Sequence, residues 1–262
     1  MKLPYERSRT KDSSKDTNAV CRRESAKRSF LYAAGCSAYE NPVASLQRSK
    51  QEDHSRYESS ACQNEIGRQL EYIWREANDC GLVLNYEGLN VWSSDFEQEA
   101  GAEHLAVLIP EEGRVYKRTL GSLQGEMFGV EKLPIPYLLN QALISYFFRT
   151  ESLFEGISRR PGETTTEFLI SQRYIRAADP ENPYPNLSQL IQFFEAHDFE
   201  FQEDDFGVPR FVNKELGLGI KDAHPGNFIV EEEGVKPFDI HFEITRSESV
   251  AAITEILSST AG

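Results

Sequence analysis

The run Asp222-Ala223-His224-Pro225-Gly226-Asn227, with Asp239 twelve residues further on, holds the residue types most able to do chemistry in this chain. An Asp and an Asn five apart on one tight loop can face the same cleft, and Gly226 between them lets the backbone turn sharply. The segment Phe228–Val230, a turn at Glu231–Gly234 and Val235–Phe238 reads as a hairpin that returns Asp239 beside them. Two carboxylates and one carboxamide are hard oxygen donors, the kind Mg²⁺ takes when it is held jointly with a nucleotide. Two other uses suit the same residues. Asp and Asn also serve turns through local hydrogen bonds. His224 and His241 could join Asp222 and Asp239 as a metal-hydrolase cluster, although His224 can equally fix its own loop.

The elements that must position these residues are legible from periodicity. Ile66, Leu70, Ile73, Trp74 and Ala77 recur at helical spacing, with Gly81 as a stop. Leu82 to Trp92 reads as a loop or short strand. His104–Ile109 and Arg114–Thr119 flank the turn Pro110–Gly113 as a hairpin, and Gly101 sits just before it. A helix is expected from about Pro136 to Phe148, with prolines at its start. Two more strands, Phe154–Ile157 and Glu167–Gln172, are joined by a turn at Arg160-Pro161-Gly162. Pro185-Asn186 opens a helix with apolar positions Leu187, Leu190, Ile191 and Phe194. A turn at 204–207, a strand at Arg210–Val212 and a closing helix over Ser247–Leu257 complete the reading.

Charge and composition narrow the classes. Of 262 residues, 28 are Lys or Arg and 42 are Asp or Glu, a net charge of −14. Residues 1–60 hold 12 basic and 8 acidic side chains, and residues 61–262 hold 16 basic and 34 acidic ones. A region this acidic repels a phosphate backbone, which argues against general nucleic-acid binding. Residues 1–60 lack a sustained period apart from an apolar island at Phe30–Ala34, and are expected to be a basic, disordered extension. Such a segment is either a solvated tail or a contact for an acidic partner. No run approaches 18 apolar residues, so no membrane span is expected. The N-terminus has no secretory apolar core, and the mature chain is expected to begin there. Cys21, Cys36, Cys62 and Cys80 show no CxxC spacing, so reduced thiols in a cytoplasmic protein are expected.

Taken together, the motifs resemble the protein-kinase-like superfamily, in the branches with a D-x-H-P-x-N form such as aminoglycoside phosphotransferases and related atypical kinases. The chain is most similar to the polyvalent protein kinase domain family. The ordered matches are Glu103-His104, Val115-Tyr116-Lys117-Arg118-Thr119, Glu155-Gly156, Ser171-Gln172, Asp222…Asn227 and Pro237-Phe238-Asp239. They cover roughly residues 64–245. The resemblance implies an α+β, two-lobed, kinase-like fold in residues 61–262, with an N-lobe over about 81–170 and a reduced C-lobe over about 171–262. It implies ATP and Mg²⁺ as cofactors. Asp222 would be the general base, Asn227 and Asp239 the metal ligands, and Lys117 the cation on the phosphates. Ser171 and Gln172 would mark the adenine-side hinge, and Gly101 the loop over the phosphates. The phosphoryl acceptor would be a hydroxyl on a protein or small molecule.

Departures from that pattern motivate a second reading. Ile220-Lys221-Asp222 replaces His-Arg-Asp, and Asp239-Ile240-His241 replaces Asp-Phe-Gly. Only Gly101 serves the phosphate loop. The predicted helix after Lys117 offers Asn140 and Gln141 rather than a Glu partner. Twenty-three residues follow Asp239, too few for an activation segment and peptide platform. A pseudokinase that binds nucleotide or a partner without turnover is the alternative, and a metal-dependent phosphoesterase the third reading.

Overall fold

Residues 25–34, 60–94, 96, 98–100, 104–119, 133–163, 166–203, 209–246 and 249–260 are described in the computed structural model of the chain. The described residues begin with a helix over 25–34 (α1), followed by α2 (Ser60–Asp79) and α3 (Tyr86–Ser94). Strands β1 (Gln98–Ala100), β2 (His104–Ile109) and β3 (Arg114–Thr119) come next. Helix α4 (Pro134–Phe148) then leads to β4 (Leu153–Arg159) and β5 (Thr166–Arg173). The rest comprises α5 (Leu187–Glu195), β6 (Glu200–Glu203), β7 (Pro209–Asn213), β8 (Leu218–Lys221) and a 3₁₀ turn (Pro225–Asn227). After the turn come β9 (Phe228–Glu231), β10 (Gly234–Pro237), β11 (His241–Ile244) and α6 (Ser249–Thr260). The class is α+β. Every named strand pairs antiparallel, in sheets ordered β1-β2-β3-β5-β4, β10-β9 and β11-β8-β7-β6. Among the described residues no helix is long and apolar enough to cross a membrane.

Helix α4 is apolar around most of its circumference, and twelve of its fifteen residues are buried. A helix of that composition cannot lie on a surface and has to be surrounded. Helices α2 and α6 and strands β10 and β11 pack against it. Its N-terminal Leu133 has no capping side chain, but Gln69 of α2 reaches in and accepts the Ile135 N–H at 3.0 Å, which satisfies one of the orphan donors of the first turn. At its far end, Phe147 and Phe148 enter a cluster with Phe193, Phe194, Phe199, Phe211, Phe228 and Phe242, in which Phe194 stacks on Phe211 at 4.1 Å. These rings fix β7, β9 and β11 around the ends of α4 and α5. Helix α5 begins as expected, with Asn186 and Gln189 forming a reciprocal capping box. Leu187 nevertheless stays exposed, and the buried stripe is Leu190 and Phe194.

Two expectations need correction. The apolar island at Phe30–Ala34 is no part of a loose extension: Phe30, Leu31, Tyr32 and Ala34 of α1 are buried in the common core, and Phe30 stacks on Phe154 of β4 at 4.6 Å. Lys27 forms an ion pair with Glu155 on the same strand. The remainder of residues 1–59 lies outside the described residues. The segment 82–92 is a single bridge, Val83 to Ile157, followed by a helix. The bridge explains Gly156. A Cβ there would stand 2.4 Å from the Leu82 carbonyl oxygen and 2.6 Å from the Leu84 side chain, so only glycine admits the close backbone approach. Glu155 is the extra residue at the register shift between Phe154 and Gly156.

The burial of α1 has a measurable consequence. Leu31 is fully buried, so Leu31→Ala should lower the unfolding free energy by about 2–5 kcal/mol in urea titrations. A change within about 0.5 kcal/mol, as at surface positions, would mean that α1 is not part of the folded core.

Candidate active site

Strand alternation sets which face each candidate side chain occupies. In the β3–β5 register Lys117 lies opposite Ile170 and Val115 opposite Gln172, while Tyr116 lies opposite Ser171. Lys117 therefore shares its face with Val115, Ile170 and Gln172, and Ser171 is on the other face. From that position the Lys117 Nζ leaves its own sheet and donates to the carbonyl oxygen of Phe238 at 2.6 Å. Burial pushes the ammonium below its ordinary lysine value, and the neighbouring Asp239 carboxylate works against that shift.

The Phe238 peptide is a junction. Its N–H donates to the Asn227 carbonyl at 3.0 Å, continuing the β9–β10 ladder in which Phe228 pairs with Pro237. Its C=O accepts from Lys117. Asp239 is the next residue, so the β9–β10 register brings it back beside the Asn227 loop, and the Lys117 side chain reaches the same peptide from the five-stranded sheet. Asp222 joins them through the loop: the Asn227 Nδ2 donates to both the Asp222 carbonyl and its Oδ2, each at 2.9 Å. Strand β8 ends at Lys221, paired with His241 of β11, so Asp222 and Asp239 emerge from adjacent strands at the same end.

The loop turns in a different way from that expected. The residue in the left-handed region is Asp222 itself, at φ 60°, a conformation that Asp tolerates better than most side chains and that recurs at functional sites. Gly226 serves close approach: its N–H donates to the His224 Nδ1 at 3.1 Å, and a Cβ would meet that ring at 3.0 Å. Because Nδ1 accepts, the proton of a neutral His224 is on Nε2, which stands 3.5 Å from the Asp222 Oδ1. The Asp222 side chain is 51 % exposed, open to a reactant from solvent.

Two further residues shape the site. Asn140 of α4 donates to the Ile240 carbonyl at 3.0 Å and accepts the Phe242 N–H at 2.8 Å, immediately after Asp239. Its signal in the sequence is an amide in the middle of an apolar helix. His104 shares a 2.8 Å hydrogen bond with the Tyr137 hydroxyl. Burial, followed by the Lys117 charge, pushes the His104 imidazole down to about 4; Asp239 pulls the other way and His241 adds to the depression.

Not every candidate converges. The Ser171 hydroxyl accepts from Arg114 at 2.9 Å and donates to Glu155 at 2.6 Å, on the face away from Lys117. Its role is in the ion network that anchors α1, through Lys27 and Glu155. Gln172 stays on the Lys117 face, inside β5 rather than in a connecting hinge. Gly101 and Glu103 lie outside the described residues. Among the described residues no three His, Cys, Asp or Glu side chains form a group that could hold a metal ion. No family model matches the chain, and no curated protein or solved structure matches it either.

The donor set fits a hard cation shared with a ligand. Asn227 spends its N–H donors on Asp222, which turns its Oδ1 away from that carboxylate, and Asp239 adds a carboxylate oxygen from the bend between β10 and β11. Two protein oxygens are too few for a closed cage and suit a Mg²⁺ that takes its other ligands from phosphates and water.

The environment of His104 fixes a pH dependence. The folded imidazole protonates near pH 4 and the unfolded one near 6.5, so stability drops as pH falls through that window. Between pH 7 and 4.5 the loss from this residue should be about 2–3 kcal/mol. Urea unfolding at both pH values, in EDTA, should show that His104→Gln lacks this component. Equal acid sensitivity in the two chains would mean that His104 is not held neutral by the fold.

Proposed function

We propose that the chain is a kinase-like phosphotransferase that moves the γ-phosphoryl group of ATP to a hydroxyl. The observation that carries the reading is Phe238, whose backbone joins the Lys117 strand to the Asn227 loop one residue before Asp239. A two-lobed arrangement follows in this reading, with the five-stranded sheet and α4 on one side of the nucleotide and the β8–β11 strands on the other. Lys117 supplies a cation for phosphate oxygens in a strongly acidic chain. Mg²⁺, when bound with the nucleotide by Asn227 and Asp239, would neutralise the charge that develops on the transferred group. Asp222, half exposed and oriented by Asn227, accepts the proton of the attacking hydroxyl as the new O–P bond forms and ADP leaves. The acceptor is a small molecule or a protein Ser or Thr, reached from solvent at Asp222. The proposal places the protein in the cytoplasm, with no nucleic-acid partner.

One observation favours a nucleotide-binding pseudokinase as the second reading. Lys117 is satisfied by a backbone carbonyl, and α4 brings no acid to it. Such a lysine is tied down before any phosphate arrives.

Thermal denaturation with and without Mg·ATP tests both. A rise in midpoint is expected, and its absence would sink both readings. ADP release should then separate them. Asp222→Ala should keep the thermal shift and lose about 10²–10⁴-fold in turnover, whereas wild-type protein that binds and never turns over is a pseudokinase. Lys117→Met should reduce the thermal shift itself.

A further inference from the structure

Helix α4 presents an amide where an apolar side chain would ordinarily be placed. Asn140 is 4 % exposed, and a buried amide is unfavourable unless its donor and acceptor are both satisfied. Both are, by one strand. The carbonyl of Ile240 and the N–H of Phe242 belong to alternate residues, so they point to the same side of the backbone. That side is the outer edge of β11, away from β8, because β11 is the end strand of its sheet and the Phe242 N–H goes to Asn140. The Asn140 amide thus takes the place of one residue of a neighbouring strand, donating at 3.0 Å and accepting at 2.8 Å.

The segment held in this way begins at the residue after Asp239. On its other side the Phe238 peptide is fixed by Lys117 at 2.6 Å and by the Asn227 carbonyl at 3.0 Å. Asp239 therefore sits between two pinned peptides, one held by a strand cation and the other by a helix amide. Helix α4 contains no Asp or Glu, so it cannot reach the site through an ion pair with Lys117. The contact it does make is to the backbone that carries Asp239.

We propose that Asn140 is the positioning residue of Asp239, holding its carboxylate in place for a divalent cation and coupling α4 to the site without a salt bridge. This inference rests on the phosphotransferase reading. The chemistry singles out an amide. Asp at this position can accept from Phe242 but, when ionised, cannot donate to Ile240, and it sets a charge against that carbonyl. Leu leaves two buried backbone groups unpaired. Asn140 touches no reacting atom, and its effect passes through Asp239.

The test is a Mg²⁺ titration of ATP binding by the full chain, followed by calorimetry, for wild type, Asn140→Asp and Asn140→Leu, with ATP binding in EDTA measured beside it. Both variants should need roughly 10–100-fold more Mg²⁺ for half-saturation, the effect of losing a residue that orients a metal ligand. Their Mg-free ATP affinity, which depends on Lys117, should stay within about twofold of wild type. Adding Asn140→Asp to an Asp239→Asn chain should change the Mg²⁺ requirement no further. An unchanged Mg²⁺ requirement would overturn the positioning role, as would a parallel loss of Mg-free and Mg-dependent binding. The near-isosteric Asn140→Asp keeps the test valid should Asn140→Leu fail to fold. Wild-type protein that binds no ATP with Mg²⁺ present overturns the phosphotransferase reading and this inference with it, a result seen before any variant is compared.

Discussion

The Lys117 side chain is half-buried, and its ammonium donates to a backbone carbonyl, that of Phe238. Burying a lysine is unfavourable unless its charge finds a partner, and here the neighbouring Asp239 supplies the opposing charge. The five-stranded sheet and the strands that carry Asp222, Asn227 and Asp239 have to stay in register with each other for that contact to persist. Other features of the site serve the same registration. Arg173, at the end of β5, makes a two-point ion pair with Glu231 of β9 at 2.7 and 3.0 Å. The chain leaving β5 runs beside β9, with Ala178 donating to Val230 and Val230 donating to Pro183.

Around this contact the hydrophobic core supplies the stiffness. Helix α4 is enclosed by helices and strands, and its aromatic end merges with the phenylalanine cluster that grips β7, β9 and β11. Close-packed interiors deform little, so a side chain anchored in α4 transmits that rigidity to whatever it holds. Asn140 holds the backbone beside Asp239, and Gln69 holds the start of α4 itself. These two buried amides link α2, α4 and β11 in series.

Local signals predicted the local features well. The β2–β3 hairpin, the hairpin of β9 and β10, the helix start at Asn186 and the stop at Gly81 follow from periodicity and turn chemistry. The readings that failed were those in which a distant partner decides. Residues 82–92 read as a loop or short strand, whereas only Val83 is extended, by its bridge to Ile157, and α3 begins after it. The island at Phe30–Ala34 is too short to show a period, and it is helical because β4 offers Phe154 and Glu155 to it. Ser171 has the residue type for a binding role, yet the pleat turns it to the far face of the sheet.

By itself the sequence determined which chemistry is available: two carboxylates, a carboxamide and a strand lysine, in an acidic chain of α+β class, with the spacing of one loop and one hairpin to carry three of them. Those properties depend on residue type and on neighbours within a few positions. Tertiary structure alone decided that Lys117 reaches the Phe238 carbonyl, that Asp222 rather than Gly226 takes the left-handed turn, and that an amide on α4 bonds the backbone beside Asp239. Each of these joins residues roughly 100 or more positions apart or sets one backbone angle against a packed neighbour. Pairings at that separation are chosen by which faces the whole core can bury together, and that choice leaves no periodic trace in the chain.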